Sequence, residues 1–259
     1  MAEIRVHRET PSIAVVTIDN PARRNALTLA MWRALGEACV ALSGDREVRA
    51  VILTGAGDHF SAGADISEFA AVRTGLDAAT AYEAAGEACQ DALMTLPKPT
   101  IAAIGGYCIG GGCGLVTCCD FRVADSSARF AVPAAKLGIV YGLRECQRLF
   151  ALVGVAQAKR ILYGGEQLDA AEAARIGLVD ELVETDSRSA AQDMAERLAN
   201  NAPLSIAGSK LALNALALGQ AEDRAEEIDG MVKSAVTSED YEEGKRAFME
   251  KRRPKFTGC

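Results

Sequence analysis

Three consecutive glycines, Gly110, Gly111 and Gly112, and a fourth at Gly114 follow the apolar run "PTIAAIGG" and lead into "LVTCCD". Strand, glycine-rich turn and helix in that order bring backbone N–H groups to a helix N-terminus. Partial positive charge gathers there and stabilises an anion or a developing oxyanion. Glycine also lets a ligand come close to the backbone. The same run suits a tight strand-to-helix crossing that binds nothing. A second stretch, "FSAGADISEF", again follows a strand and a turn, and its Ala62, Gly63 and Ala64 leave backbone N–H groups uncovered. Two such loops facing each other would form a two-donor hole for an oxygen gaining negative charge.

Other glycine-loop chemistries do not fit. The dinucleotide fingerprint G-x-G-x-x-G fails because Leu115 stands where the third glycine is needed. No Lys-Ser/Thr follows the glycines as a phosphate-binding loop requires, and no G-x-S-x-G elbow offers a serine nucleophile. The eight cysteines form no C-x-x-C pair, and only His7 and His59 could join them, so neither a zinc site nor any other metal site is expected. Most of the cysteines sit in apolar runs, where a reduced thiol packs as a small hydrophobe. His59 reads as exposed in its "GDHF" turn, with a supporting role beside the first loop left open.

The elements that must carry these loops are legible. The chain has 259 residues, 49% hydrophobic and 24% charged, enough for a large core. A net charge of −7 disfavours nucleic acid and anionic membrane surfaces as partners. The N-terminal run lacks the apolar segment of a secretory leader, no stretch is suited to span a bilayer, and a cytoplasmic location is expected. "SIAVVTID", "RAVILTG" and "TIAAI" read as strands, with short strands at "FRVAD" and "RFAVP". Met31, Leu35, Ala38 and Leu42 mark one helix face behind a Thr28 N-cap; Tyr82, Gly86, Cys89, Leu93 and Leu96 mark another. Asp169 and Glu172 have capping-box spacing, and beyond about Thr185 everything reads as helix. The reading is an α/β core over residues 1–190 and a helical region over 191–259.

At "NPARRNAL", "VILTGAGDHFSAGADI", "LPKPTIAAIGGYCIGGGCGL", "CDFRVAD", "AARIGLVDELV" and "SEDYEEGKRAFMEKRRPKF" the chain resembles the crotonase family of enoyl-CoA hydratases and isomerases, in family order and over nearly its whole length. The resemblance implies a crotonase spiral of ββα units with a C-terminal helical trimerisation region, and a homo-oligomer, either a trimer or a dimer of trimers. It implies an acyl-CoA thioester as substrate, with no further cofactor. It places the oxyanion hole on the N–H groups of Ala64 and Gly111. For CoA it points to Arg24 (with Arg23 beside it), to Ala62, Asp65 and Ile66 in the first loop, and to Phe248 and Lys251 reaching from a neighbouring subunit. Asp65 also suits a structural part, through loop hydrogen bonds, as does Asp120. Lys251 equally complements the dipole at a helix end.

The chain departs from the family where hydratases carry two glutamates. The position in GGGCE is Gly114 here, and the position in F-x-x-P-E is Ala134. Hydration needs a base for water and an acid for the α-carbon, and neither residue supplies one. The nearest replacements are Tyr141 and Glu145, read as i and i+4 on one helical stripe with Leu149. Tyr141 is similar to a tyrosine of the methylmalonyl-CoA decarboxylase branch, whose first-loop histidine is Ala64 here. Two activities follow: decarboxylation of a malonyl-type CoA, with Tyr141 orienting the carboxylate, or double-bond isomerisation, with Glu145 shuttling a proton. Hydration by non-standard residues and non-catalytic acyl-CoA binding remain open. So do plainer parts: Glu145 as a surface residue paired with Arg144 or Arg148, and Tyr141 as a packed aromatic.

Overall fold

Alternate residues along the first long strands face two different cores, and this two-sided burial organises the chain. The computed structural model describes residues 2–259. An exposed strand β1 (Glu3–Thr10), its charges intermixed, lies antiparallel to β2 (Ile13–Asp19) at the edge of a sheet. Helix α1 (Leu29–Gly44) follows, its first turn closed by the Thr28 hydroxyl accepting from the Met31 N–H at 3.2 Å. Then come β3 (Ala50–Gly55), the four-residue α2 (Phe69–Val72) and the long α3 (Leu76–Met94). Strands β4 (Thr100–Ile104) and β5 (Tyr107–Ile109) precede α4 (Gly111–Val116); β6 (Phe121–Asp125) and β7 (Arg129–Ala131) precede α5 (Leu143–Gly164). The remainder is β8 (Leu168–Asp169), α6 (Ala170–Arg175), β9 (Glu181–Val183), α7 (Ser187–Ala199), α8 (Pro203–Ala217), α9 (Ala225–Val236) and α10 (Glu239–Glu250).

Strands β1-β2-β3-β4-β6-β9 form one sheet and β5-β7-β8 a second. Each of the pairs β4–β5, β6–β7 and β8–β9 contributes one strand to each sheet, as a spiral of ββα units requires. From β2 to β9 the larger sheet is parallel, so both faces must be covered. Val16, Leu53, Ala102 and Ile104 face the main core with α1 and α3. Ile13, Val15, Ala50, Ile52, Ile101 and Ala103 face the other way, against α7. Small residues on α7, Ala191 and Ala195, are fully buried there and let the helix sit close to the strands.

That packing corrects the division expected at 190/191. The boundary cuts α7, and α7 caps the sheet, so the core runs to Ala199 and the separate helical layer begins with α8. One internal tie holds α8 to the core. Lys210 is buried and donates to Asp120 Oδ2 at 2.8 Å and to the Lys98 carbonyl at 3.0 Å. Asp120 also accepts from the Thr100 N–H at 2.8 Å, which gives it the structural part considered above.

Candidate active site

The two glycine-bearing loops lie side by side. Ser61 N–H donates to the Tyr107 carbonyl and Ile109 N–H to the Ser61 carbonyl, so the first loop runs alongside β5 as an extra parallel bridge. Nearly every amide of this loop is committed. Phe60 donates to Gly105, Ala62 to Arg24 and Asp65 to Leu27, while Gly63 donates to the Ser61 hydroxyl. Ala64 is the exception: among the described residues its N–H has no protein acceptor. In the second loop Gly110 is not free as expected, because its N–H donates to the Ala131 carbonyl at 2.8 Å. Gly111, the first residue of α4, has no such acceptor.

Glycine is required where the loops touch. At Gly63, φ is +91° and a Cβ would fall 2.6 Å from the Ile109 carbonyl oxygen and 3.0 Å from the Gly111 nitrogen. At Gly111 a Cβ would fall 2.9 Å from the Trp32 ring and 3.6 Å from the Ala64 nitrogen. The two unpaired N–H groups therefore sit on adjoining backbone, and Ala64 and Gly111 both line one cleft of about 390 Å³.

Glu145 and Tyr141 line the same cleft, with Ala62, Ile66 and Ala134. Their positions differ from the expected i, i+4 stripe. Helix α5 starts at Leu143 behind a Gly142 N-cap, so Tyr141 lies before the helix and Glu145 is in its first turn. Glu145 Oε2 accepts from the Gly142 N–H at 3.0 Å, a capping contact that leaves Oε1 facing inward. Neither expected arginine pairs with it: Arg144 pairs with Asp91 and Arg148 donates to Gln90. Tyr141 is half-buried, and burial, with the neighbouring Cys113 and Glu145, pushes its phenol well above the usual range. It is a hydroxyl donor and not a phenolate at ordinary pH.

The sequence reading missed a whole wall of the cleft. Tyr82, Glu83, Gly86, Glu87 and Gln90 of α3 line it, with Arg73 and Trp32. The signal was present: Glu83, Glu87 and Gln90 fall at i, i+4 and i+7 beside the apolar stripe already identified. Trp32 Nε1 donates to the Tyr82 hydroxyl at 3.2 Å, and Arg73 stacks over the Phe69 ring at 4.8 Å while pairing with Glu83. A Cβ on Gly142 would stand 3.7 Å from Glu87 Oε1 and 3.8 Å from Glu145 Oε2, so two carboxylates flank that backbone.

The other CoA candidates are dispersed. Asp65 is buried outside the lining; its carboxylate accepts from Ser67 and from Arg23 at 2.9 Å, capping a short turn. Arg24 is exposed over the Tyr107 ring at 5.1 Å, and its carbonyl holds Ala62. Phe248 is 83% exposed on α10, and Lys251 caps that helix with φ +53°. Neither reaches the cleft within one chain. His59 lies elsewhere, stacked on Tyr107 at 4.8 Å and accepting from the Tyr107 N–H at 3.2 Å. Cys113 and Cys118 are buried in the core. No helix is long and apolar enough to cross a membrane among the described residues.

Comparison with known proteins supplies the context. A family model described as enoyl-CoA hydratase/isomerase matches residues 8–259. The chain is 37% identical to a short-chain-enoyl-CoA hydratase of Clostridium acetobutylicum over 93% of its length and 92% of that protein. It is 33% identical to a 2,3-dehydroadipyl-CoA hydratase of Escherichia coli, over the whole of both chains. A solved enoyl-CoA hydratase/carnithine racemase of Magnetospirillum magneticum superposes with a TM-score of 0.92 at 39% identity, covering 100% of this chain and 97% of that one.

Proposed function

The chain belongs to the enoyl-CoA hydratase/isomerase family, and on that premise we propose that it moves a proton on an enoyl-CoA through a thioester enolate, with Glu145 as the acid–base. The observation that carries this reading is one cleft lined by two unpaired N–H groups, Ala64 and Gly111, and by the Glu145 carboxylate. The two N–H groups would hold the thioester oxygen as it becomes negative, each such donor being worth about 3 kcal/mol. Glu145 removes a proton from C2 of a 3-enoyl thioester, the electron pair shifts toward the oxygen, and the same carboxyl returns the proton at C4. The product is the 2-enoyl thioester. One carboxylate suffices, so Gly114 and Ala134 are no obstacle, and proton transfer requires no cofactor beyond the CoA of the substrate. Tyr141, held protonated by burial, supplies a hydroxyl to the same enclosure. Phe248 and Lys251, remote from the cleft, would complete the CoA site from a neighbouring copy in a trimer or a dimer of trimers.

Hydration is the second reading. Glu87 and Glu145 flank Gly142, so two carboxylates replace the two missing glutamates, and the relatives described above are named hydratases. Decarboxylation fits the lining less well: Glu83, Glu87 and Glu145 against the single cation Arg73, itself paired, would repel a malonyl carboxylate. A panel of crotonyl-CoA, a 3-enoyl-CoA and methylmalonyl-CoA tests these readings. Conversion of the 3-enoyl thioester supports the first and hydration of crotonyl-CoA the second. CO2 release from methylmalonyl-CoA would overturn both, and tight binding without turnover would leave only a carrier.

A further inference from the structure

We infer that Gln90 is the positioning residue for Glu145, and that the absent side chain at Gly114 is the space in which Gln90 does this. The inference rests on the reading of Glu145 as the proton carrier.

Gln90 is buried on α3, and both ends of its amide have assigned partners. Its Oε1 accepts from the Arg148 guanidinium, and its Nε2 donates toward Glu145 Oε1 at 3.5 Å. Arg148 fixes the orientation of the amide. A guanidinium has only donors, so the oxygen of Gln90 must face it and the NH2 must face Glu145. Among the described residues Arg148 has no other acceptor: it is 4% exposed, forms no ion pair, and its Nε is unpartnered. A cation bound to the oxygen of an amide polarises it and strengthens its N–H donors. Gln90 thus passes the pull of Arg148 to Glu145 without letting the arginine neutralise the carboxylate directly.

Gly114 makes the arrangement possible. A Cβ there would stand 3.2 Å from Gln90 Nε2 and 3.8 Å from Glu145 Oε1. A glutamate at position 114 would enter the volume these two groups occupy. The carboxylate of this site is therefore delivered from α5 and braced from α3, whereas the family pattern delivers it from α4.

Glu145 is faced by Gln90 and Glu87 from α3 and by Tyr141 and the Gly142 N–H from its own segment. Gln90→Glu isolates the inferred role. It keeps an acceptor for Arg148, so the fold is retained, and removes only the donor aimed at Glu145. The rate of 3-enoyl-CoA isomerisation, or of crotonyl-CoA hydration if that is the activity, is measured across pH for wild type, Gln90→Glu and Glu145→Gln. With Glu145→Gln inactive, we expect kcat of Gln90→Glu to fall about tenfold to a hundredfold, the range of one charge-assisted hydrogen bond, with KM little changed. Its acidic limb should also move to higher pH, since a lost donor and an added negative charge both favour protonated Glu145. Wild-type kcat and pH profile in Gln90→Glu would overturn the inference while leaving the role of Glu145 intact. Full activity in Glu145→Gln would overturn that role, and the inference with it.

Discussion

Gln90 Nε2 stands 3.2 Å from the point where a side chain on Gly114 would begin. The two positions share one volume, and the glycine is the condition for the glutamine. Gly114→Glu, made to restore the family pattern, should therefore fail to restore rapid hydration. Displacing the Gln90–Arg148 contact leaves a buried cation unpaired and should cost about 3–5 kcal/mol of stability. Urea unfolding of Gly114→Glu beside wild type measures this, and an unchanged midpoint would contradict the shared-volume account.

Gly111 meets the Trp32 ring in the same way. Gly111→Ala places a methyl 2.9 Å from that ring, so the first turn of α4 must shift while the fold persists. A misplacement near 1 Å can cost about a hundredfold in rate. The expected outcome is a fall in kcat of at least about tenfold with a smaller change in KM, read by steady-state kinetics; Gly110→Ala, with open space at its Cβ, tests backbone strain at φ +53° instead.

Burial also sets an alkaline limit on stability. It pushes the Cys118 thiol from 9.0 to about 11, the Cys39 thiol from 9.0 to about 12 and the Tyr82 phenol from 10.0 to about 12. In the unfolded chain these groups lose their protons first, so the unfolded state binds fewer protons as pH rises past 9. Their contribution is complete below that pH and is lost progressively up to about 12. Melting temperature should thus decline from pH 8.5–9 upward, by roughly the range these shifts span. The decline should be shallower in Cys39→Ala/Cys118→Ala, and calorimetry across pH 7–10.5 reads it; those pH limits are approximate choices of about one unit either side of the thiol range.

The tie between α8 and the core yields a further test. Removing one partner of a buried ion pair costs about 3–5 kcal/mol, because the other charge is stranded. Lys210→Met should destabilise by that amount through Asp120, while Lys210→Met/Asp120→Asn should recover part of it. Chemical denaturation of the single and double variants measures the difference.

Much of this was readable beforehand, for identifiable reasons. β2, β3 and β4 are continuous apolar runs, and parallel strands buried on both faces must look that way. Thr28 and Asp169 cap their helices where their spacing placed them. The spiral itself left no periodic trace, since the strands of the second sheet have two or three residues, too few to carry a period. The family resemblance supplied it instead. The division at 190/191 missed because α7 looks polar along the chain and buries only alanines. Tyr141 was read as helical because Gly142, an N-cap without a side chain, gives no start signal. The α3 wall was missed because Glu87 and Gln90 are ordinary surface types in an amphipathic helix. Their contact with Gly142 and Gly114 is a long-range fact.

The central claim is that Glu145 carries the proton in a cleft whose oxyanion donors are Ala64 and Gly111. The most direct measurement is the turnover of a 3-enoyl-CoA and of crotonyl-CoA by Glu145→Gln beside wild type, with circular dichroism confirming that the variant is folded. General acid–base catalysis contributes about 10²- to 10⁴-fold, and a loss of that size on whichever thioester the wild type converts is the predicted result. A folded Glu145→Gln that turns over at the wild-type rate would contradict the account.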